Sequence, residues 1–167
     1  PSMGTSAHSF TLLYDSEESA FRAQLDSMGT QTTLLVDTYD IENAVRSAVE
    51  LSSGKVAAVR LDSGDLGSTA VKVRKLLDDL GAHETKIVVT SDLDEYTIAA
   101  LQAAPVDRYG VGTSLVTGSS HPTAGFVYKL VSHNTNSEWV SVEKRSENKA
   151  SKGGKKITTR ELKGGIA

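Results

Sequence analysis

Between residues 15 and 115 the apolar positions alternate between a helical period and short unbroken runs. Ala20, Phe21, Leu25 and Met28 recur at helical spacing and Gly29 follows, which predicts an amphipathic helix ending there. Asp15 and Glu18, three residues apart at its start, have capping-box spacing. Residues 32–36 form a β-prone run ending at Asp37. A second helix then has Asp40 as N-cap and Ile41, Ala44, Val45, Ala48 and Leu51 on one face, with Ser52-Ser53-Gly54 as its stop. The unit repeats: residues 56–59 predict a buried strand, and a helix from about residue 66 to 80 carries Val73, Leu76, Leu77 and Leu80 before Gly81. Residues 86–90 predict a third strand. Asp92 and Glu95 form another capping box, for a helix that Pro105 terminates. A fourth strand at residues 107–109 runs into Gly110-Val111-Gly112-Thr113-Ser114.

Strands separated by helices of about ten to fifteen residues predict right-handed βαβ units and a parallel sheet. The alternation stops after Thr117. Residues 125–131 and 138–144 predict an antiparallel pair around a polar loop at 132–137. The chain therefore divides into a parallel α/β part at residues 1–118 and, at 119–167, an antiparallel β segment with a basic Gly/Lys-rich tail.

Composition narrows the class. With 167 residues and 38% hydrophobic content, the chain is sized for one domain with a core and is not disordered. The absence of cysteine excludes disulfides, thiolate metal sites and cysteine nucleophiles, and fits a cytoplasmic setting. No apolar run reaches the ~18 residues needed to span a bilayer, so no membrane partner is expected. The net charge of −3 hides a gradient. Residues 143–167 carry 8 basic and 3 acidic side chains, the remainder 10 and 18. The basic end has no aromatic after Trp139, so it reads as a solvated tail rather than a nucleic-acid site.

In parallel α/β folds, ligands gather at the carboxyl ends of the strands. Those ends carry Asp37 and Asp40, then Arg60, Asp62, Ser63, Gly64 and Asp65, then Ser91, Asp92 and Asp94, then Gly110, Gly112, Thr113 and Ser114. Helix capping accounts for Asp40, Asp65 and Asp92. It does not account for Asp37 and Asp62, three residues ahead of their caps. Arg60, two residues before Asp62, points to the same face, which suits a polar rim. The Gly110/Gly112 loop is either a tight turn or, with Thr113, a phosphate cradle. His8 stands alone in a Gly/Ser-rich segment, where a histidine is ordinarily an exposed loop residue. His83, His121 and His133 show no zinc-type spacing.

Taken together, Gly-Thr-Ser-Ala-His8-Ser-Phe, Leu-Leu-Val-Asp37-Thr-Tyr-Asp40, Val-Arg60-Leu-Asp62-Ser-Gly-Asp-Leu, Ile-Val-Val-Thr-Ser91-Asp92-Leu-Asp-Glu-Tyr, Tyr-Gly110-Val-Gly112-Thr113 and Val-Tyr-Lys129-Leu-Val resemble the nicotinate phosphoribosyltransferase family. The Lys-Arg-Ser-Glu-Asn-Lys stretch with the following Gly-Gly-Lys-Lys is similar to a late segment of that family. The resemblance implies part of an irregular (β/α) barrel of the type II phosphoribosyltransferase kind. It also implies transfer of phosphoribosyl from phosphoribosyl pyrophosphate to nicotinate, with ATP hydrolysed through a phosphohistidine at His8. By the same resemblance Asp37 and Asp62 serve catalysis and are candidate Mg²⁺ ligands. Arg60, Ser63, Gly64, Ser91 and Asp92 would bind substrate, and Gly110, Gly112 and Thr113 the 5′-phosphate. Members are longer, so the resemblance implies a fragment lacking an N-terminal part of the same protein, inactive alone, and a homodimer. The neighbouring readings are a nicotinamide or quinolinate enzyme, or a non-catalytic half-barrel module.

Overall fold

The computed structural model describes residues 4–118, 121–146 and 150–160. The chain runs α1 (His8–Thr11), α2 (Glu17–Met28), β1 (Thr33–Leu35), α3 (Ile41–Leu51), β2 (Ala58–Leu61), α4 (Leu66–Asp79), β3 (Lys86–Val89), α5 (Glu95–Leu101), β4 (Arg108–Tyr109), α6 (Thr113–Thr117), β5 (Ser132–Thr135) and β6 (Glu138–Ser141). The first four strands form one parallel sheet in chain order, and β5 and β6 form a separate antiparallel pair. Gly4 and Thr5 extend the parallel sheet past β1 by one bridge to Thr33, a pairing too short for any sequence pattern to carry.

Side-chain alternation decides where the core lies. Leu34 and Val36, Val59 and Leu61, and Ile87 and Val89 point to one face, where Phe21 of α2, Ala44, Val45 and Ala48 of α3, Ala70, Val73 and Leu77 of α4 and Leu101 of α5 join them in a single cluster. The helices therefore cover one face of a singly wound sheet, as same-handed crossovers between consecutive strands require. The opposite face carries Thr33, Leu35, Ala58, Arg60 and Val88, a mixed polar and apolar set of which Thr33, Leu35 and Ala58 are buried.

Local chemistry sets the helix ends. Asp40 accepts from Asn43 N–H at 2.8 Å and Asp65 from Ser68 N–H at 3.1 Å, each as the spacing predicts. Two caps differ from expectation. Ser16, not Asp15, caps α2 by accepting from Ser19 N–H, so the Asp15–Glu18 pair is not the capping box. Asp94, not Asp92, caps α5 by accepting from Thr97 N–H. Asp92 is held out of the helix because Ser91 adopts a left-handed backbone with φ of 105°, delaying the helix start by two residues.

The antiparallel pair is also shifted. Its first strand is Ser132–Thr135, within the expected loop, and residues 125–131 are not a strand. The turn is only Asn136-Ser137, both at positive φ (52° and 68°), the pattern of a two-residue hairpin. Asn136 tolerates that backbone, but the absence of glycine hid the turn.

Leu77 is fully buried in the shared cluster, whereas Val71 on the same helix is 55% exposed. Leu77→Ala is expected to destabilise the complete polypeptide by about 2–5 kcal/mol and Val71→Ala by less than about 0.5 kcal/mol. Urea denaturation of the two variants checks the difference. Equal losses would mean that the helix does not pack through this face.

Candidate active site

Sheet register builds the site before any side chain is considered. Leu35 pairs with Arg60, Leu61 with Val89, and Val89 with Tyr109. Continuing each pairing past the strand ends puts Asp37 level with Asp62, Asp62 with Thr90, and Thr90 with Gly110. The contacts follow that line. Asp37 Oδ2 accepts from Asp62 N–H at 3.1 Å and from the Ser63 hydroxyl, and Asp62 Oδ1 accepts from the Thr90 hydroxyl. Gly110 lies so close to Thr90 that a Cβ there would come within 2.5 Å of its Cγ2.

His8 enters this rim from the short helix α1 and is only 17% exposed, so it is not the exposed loop residue that its surroundings suggest. Its Nε2 lies 3.6 Å from Asp37 Oδ1 and 3.5 Å from Asp62 Oδ2, while Nδ1 and the Thr38 hydroxyl are 3.0 Å apart. Asp37 is 1% exposed, and its Oδ1 is buried with no hydrogen-bond partner among the described residues.

A cleft of ≈ 450 Å³ opens beside His8, and Asp62, Ser91, Asp92, Lys129 and Lys144 line it. The other expected residues stand further back. Ser63 reaches the site only through Asp37. Arg60 lies inside the strand and donates to the Thr5 hydroxyl at 3.2 Å, with its Nε buried and without a hydrogen-bond partner among the described residues. Gly64 is exposed at φ 75°, turning the chain from Ser63 to the Asp65 cap. Gly110, Gly112 and Thr113 do not line the cleft, and Gly112 has open space where a Cβ would project.

The basic tail departs most from its expected place. Lys144 and Ser146 are buried, not solvated. Lys144 Nζ lies 2.7 Å from His8 Nε2, the Ser146 hydroxyl donates to Asp37 C=O, and Arg145 N–H donates to Thr38 C=O at 3.0 Å. Ser151 closes the strap: its hydroxyl accepts from Lys144 N–H at 3.0 Å and its N–H donates to Lys144 C=O at 3.0 Å. Beyond it, residues 150 and 155–160 are exposed, and residues 147–149 and 161–167 of the tail lie outside the described residues. Burial here reflects contacts with residues more than a hundred positions away, which local composition cannot report.

The described residues thus place a histidine between two strand-end carboxylates at the carboxyl edge of a parallel sheet, the edge where α/β folds commonly bind ligands. The family model for the nicotinate phosphoribosyltransferase (NAPRTase) family matches residues 2–164, and the chain belongs to that family. It is 51% identical, over 96% of its length, to nicotinate phosphoribosyltransferase pncB1 of Mycobacterium tuberculosis, and covers 37% of that relative. It is 40% identical to the nicotinate phosphoribosyltransferase of Bacillus subtilis, over 89% of this chain and 32% of the relative. The chain thus spans about a third of the length of these curated relatives. The crystal structure of nicotinate phosphoribosyltransferase from Porphyromonas gingivalis shares the fold, with a TM-score of 0.75 and 20% identity over 89% of this chain and 43% of that one.

Glu17, the first residue of α2, has its pKa raised from 4.5 to about 8, first by burial and then by Asp37 and Asp40. The helix N-terminus favours its anion, yet loss of water prevails. Tyr39 is raised too, by burial and by Glu17, against the lowering effect of Arg145. Because folded Glu17 keeps its proton where the unfolded chain has lost it, its contribution to stability falls from pH 4.5 to about 8 and is flat above. Glu17→Gln is expected to raise the urea midpoint at pH 8.5 relative to the unsubstituted protein and to leave it little changed at pH 4. An equal effect at both pH values would mean that the Glu17 carboxyl titrates normally.

Proposed function

We propose that the complete polypeptide carrying this chain transfers phosphoribosyl from phosphoribosyl pyrophosphate to nicotinate, giving nicotinate mononucleotide and pyrophosphate, and couples this to ATP hydrolysis through a phosphohistidine at His8. The observation that carries the reading is the placement of His8 Nε2 between Asp37 and Asp62 at the strand ends of a chain 51% identical to a nicotinate phosphoribosyltransferase. The reading includes closure of the four parallel strands into an irregular (β/α) barrel by the rest of the polypeptide, a homodimer, and a cytoplasmic setting. Among the described residues no helix is long and apolar enough to cross a membrane.

In the transfer step the bond from the sugar C1 to the pyrophosphate oxygen breaks, with its electron pair leaving on pyrophosphate, and a bond forms from C1 to the pyridine nitrogen. Positive charge develops on the sugar, so carboxylates at the rim favour the transition state. Arg60, Ser63, Gly64, Ser91 and Asp92 bind substrate in this reading, and Gly110, Gly112 and Thr113 receive the 5′-phosphate through N–H and hydroxyl donors. The open space at Gly112 supports close approach there, since packing does not require a glycine at that position. Thr90, anchored on Asp62, keeps that carboxylate aimed.

The buried, unpartnered Asp37 Oδ1 and the neighbouring Asp62 fit a Mg²⁺ ion that takes its other ligands from phosphates and water. Among the described residues no group of three or more His, Asp or Glu side chains is arranged to hold a metal by itself. When bound, Mg²⁺ supplies neutralising charge for the departing pyrophosphate.

The test gives the purified complete polypeptide phosphoribosyl pyrophosphate and Mg²⁺, with nicotinate, nicotinamide or quinolinate, each with and without ATP. Chromatography is expected to show nicotinate consumed and ADP formed. His8→Ala should abolish ADP formation, and Asp37→Asn should lower kcat/KM at least about 100-fold. Consumption of another base would replace the substrate assignment. With no base consumed the enzyme reading fails in favour of a binding or assembly module.

A further inference from the structure

Lys144 joins the site from the far end of the chain. Its side chain is buried, and its ammonium lies 2.7 Å from Nε2 of His8. An ammonium has only protons to offer, so a charged Lys144 makes this contact through the Nε2 lone pair, in the tautomer that leaves the ring proton on Nδ1, 3.0 Å from the Thr38 hydroxyl. That tautomer is the one in which Nε2 is nucleophilic. The strap holding Lys144 is fastened at three points: Arg145 N–H on Thr38 C=O, the Ser146 hydroxyl on Asp37 C=O, and the paired Lys144 and Ser151 contacts. Two of the fastenings lie on the residues that also position His8.

We propose that Lys144 is a further catalytic residue of the His8 half-reaction, holding the ring in its nucleophilic tautomer and then gripping the phosphoryl group that His8 accepts. The inference rests on the phosphohistidine reading above. In the step, the bond between the γ-phosphorus of ATP and its bridging oxygen breaks, the electron pair leaves on ADP, and a bond forms from Nε2 to phosphorus. The Nδ1 proton stays on the ring against Thr38. The ammonium exchanges the Nε2 lone pair for a phosphoryl oxygen, a movement of about one hydrogen-bond length. Its charge then offsets that of the phosphoryl group beside Asp37 and Asp62, whose oxygens lie 3.6 and 3.5 Å from the same nitrogen. Without it, less positive charge would offset a phosphoryl dianion set beside two carboxylates.

The experiment uses the complete polypeptide, ATP labelled at the γ-phosphate, Mg²⁺ and no pyridine base, and follows acid-labile, base-stable label. Unsubstituted protein is expected to label and His8→Ala not to. Lys144→Ala should label about 100-fold more slowly, the scale expected for losing one charged donor to a developing anion. Added methylammonium should restore the rate at least about tenfold, and Lys144→Arg should keep part of it. Lys144→Met, which preserves the buried stem, replaces Lys144→Ala if that variant fails to fold, with melting temperature as the check. Labelling of the Lys144 variants at the unsubstituted rate overturns the proposal. So does slow labelling, in a variant of unchanged melting temperature, that neither methylammonium nor arginine relieves, because that pattern belongs to packing. Absence of label from unsubstituted protein would instead overturn the phosphohistidine reading on which the inference stands.

Discussion

Asp37 places a carboxylate at the end of β1 with 1% of its surface exposed, and a carboxylate so buried is tolerated only where donors or a cation meet it. One oxygen is met by Asp62 N–H and the Ser63 hydroxyl, which fixes the β2 loop. The other faces His8, and the main-chain carbonyl of the same residue anchors Ser146 of the strap. Removing the Asp37 carboxylate would therefore release the β2 loop and His8, while Ser146 keeps its main-chain anchor. The carboxylate ties together segments from residues 8, 37 and 62, and the carbonyl of the same residue adds the segment at 146.

Register gives the constraint its reach. A parallel ladder aligns equivalent positions across strands, so polar residues two or one beyond the strand ends form a row without any loop having to search for its neighbour. Asp62 can accept from Thr90 because the ladder holds the two level, and Gly110 must lack a side chain because the next strand brings it against Thr90. Gly110 thus has a packing reason to be glycine that is independent of any phosphate, whereas Gly112 has none. The left-handed backbone of Ser91 continues this division: it keeps Asp92 on the cleft and leaves capping to Asp94.

What could be read from sequence is what local rules determine. The βα alternation, the Asp40 and Asp65 caps, and the separation of Asp37 and Asp62 from capping all follow from spacing, and all agree with the structure. Asp92 and Asp94 are two residues apart and each offers a capping oxygen, so only the backbone at Ser91 distinguishes them. The hairpin's turn is not marked in the sequence, because Asn136-Ser137 lacks the glycine usual in such turns. Lys144 and Ser146 were illegible for a different reason. They sit in a stretch whose composition is that of a solvated tail, and their partners are His8 and Asp37, 136 and 109 residues away. Long-range burial of a charged residue leaves no periodic trace.

The charge gradient gives that long-range contact a physical purpose. The part of the chain before residue 143 carries 18 acidic against 10 basic residues, and its strand ends concentrate carboxylates. In the proposed reaction such a rim stabilises a cationic sugar but repels the polyphosphates that would enter beside it. Arg60 cannot correct this alone, since it is drawn back into the strand toward Thr5. Besides a metal ion, cationic side chains reach the cleft from outside the parallel layer, where Lys129 and Lys144 of the basic segment line it. Separating the two charges along the chain lets the carboxylates be fixed by the sheet and the cations by segments that dock on it. The basic segment is then an electrostatic complement of the rim rather than a tail.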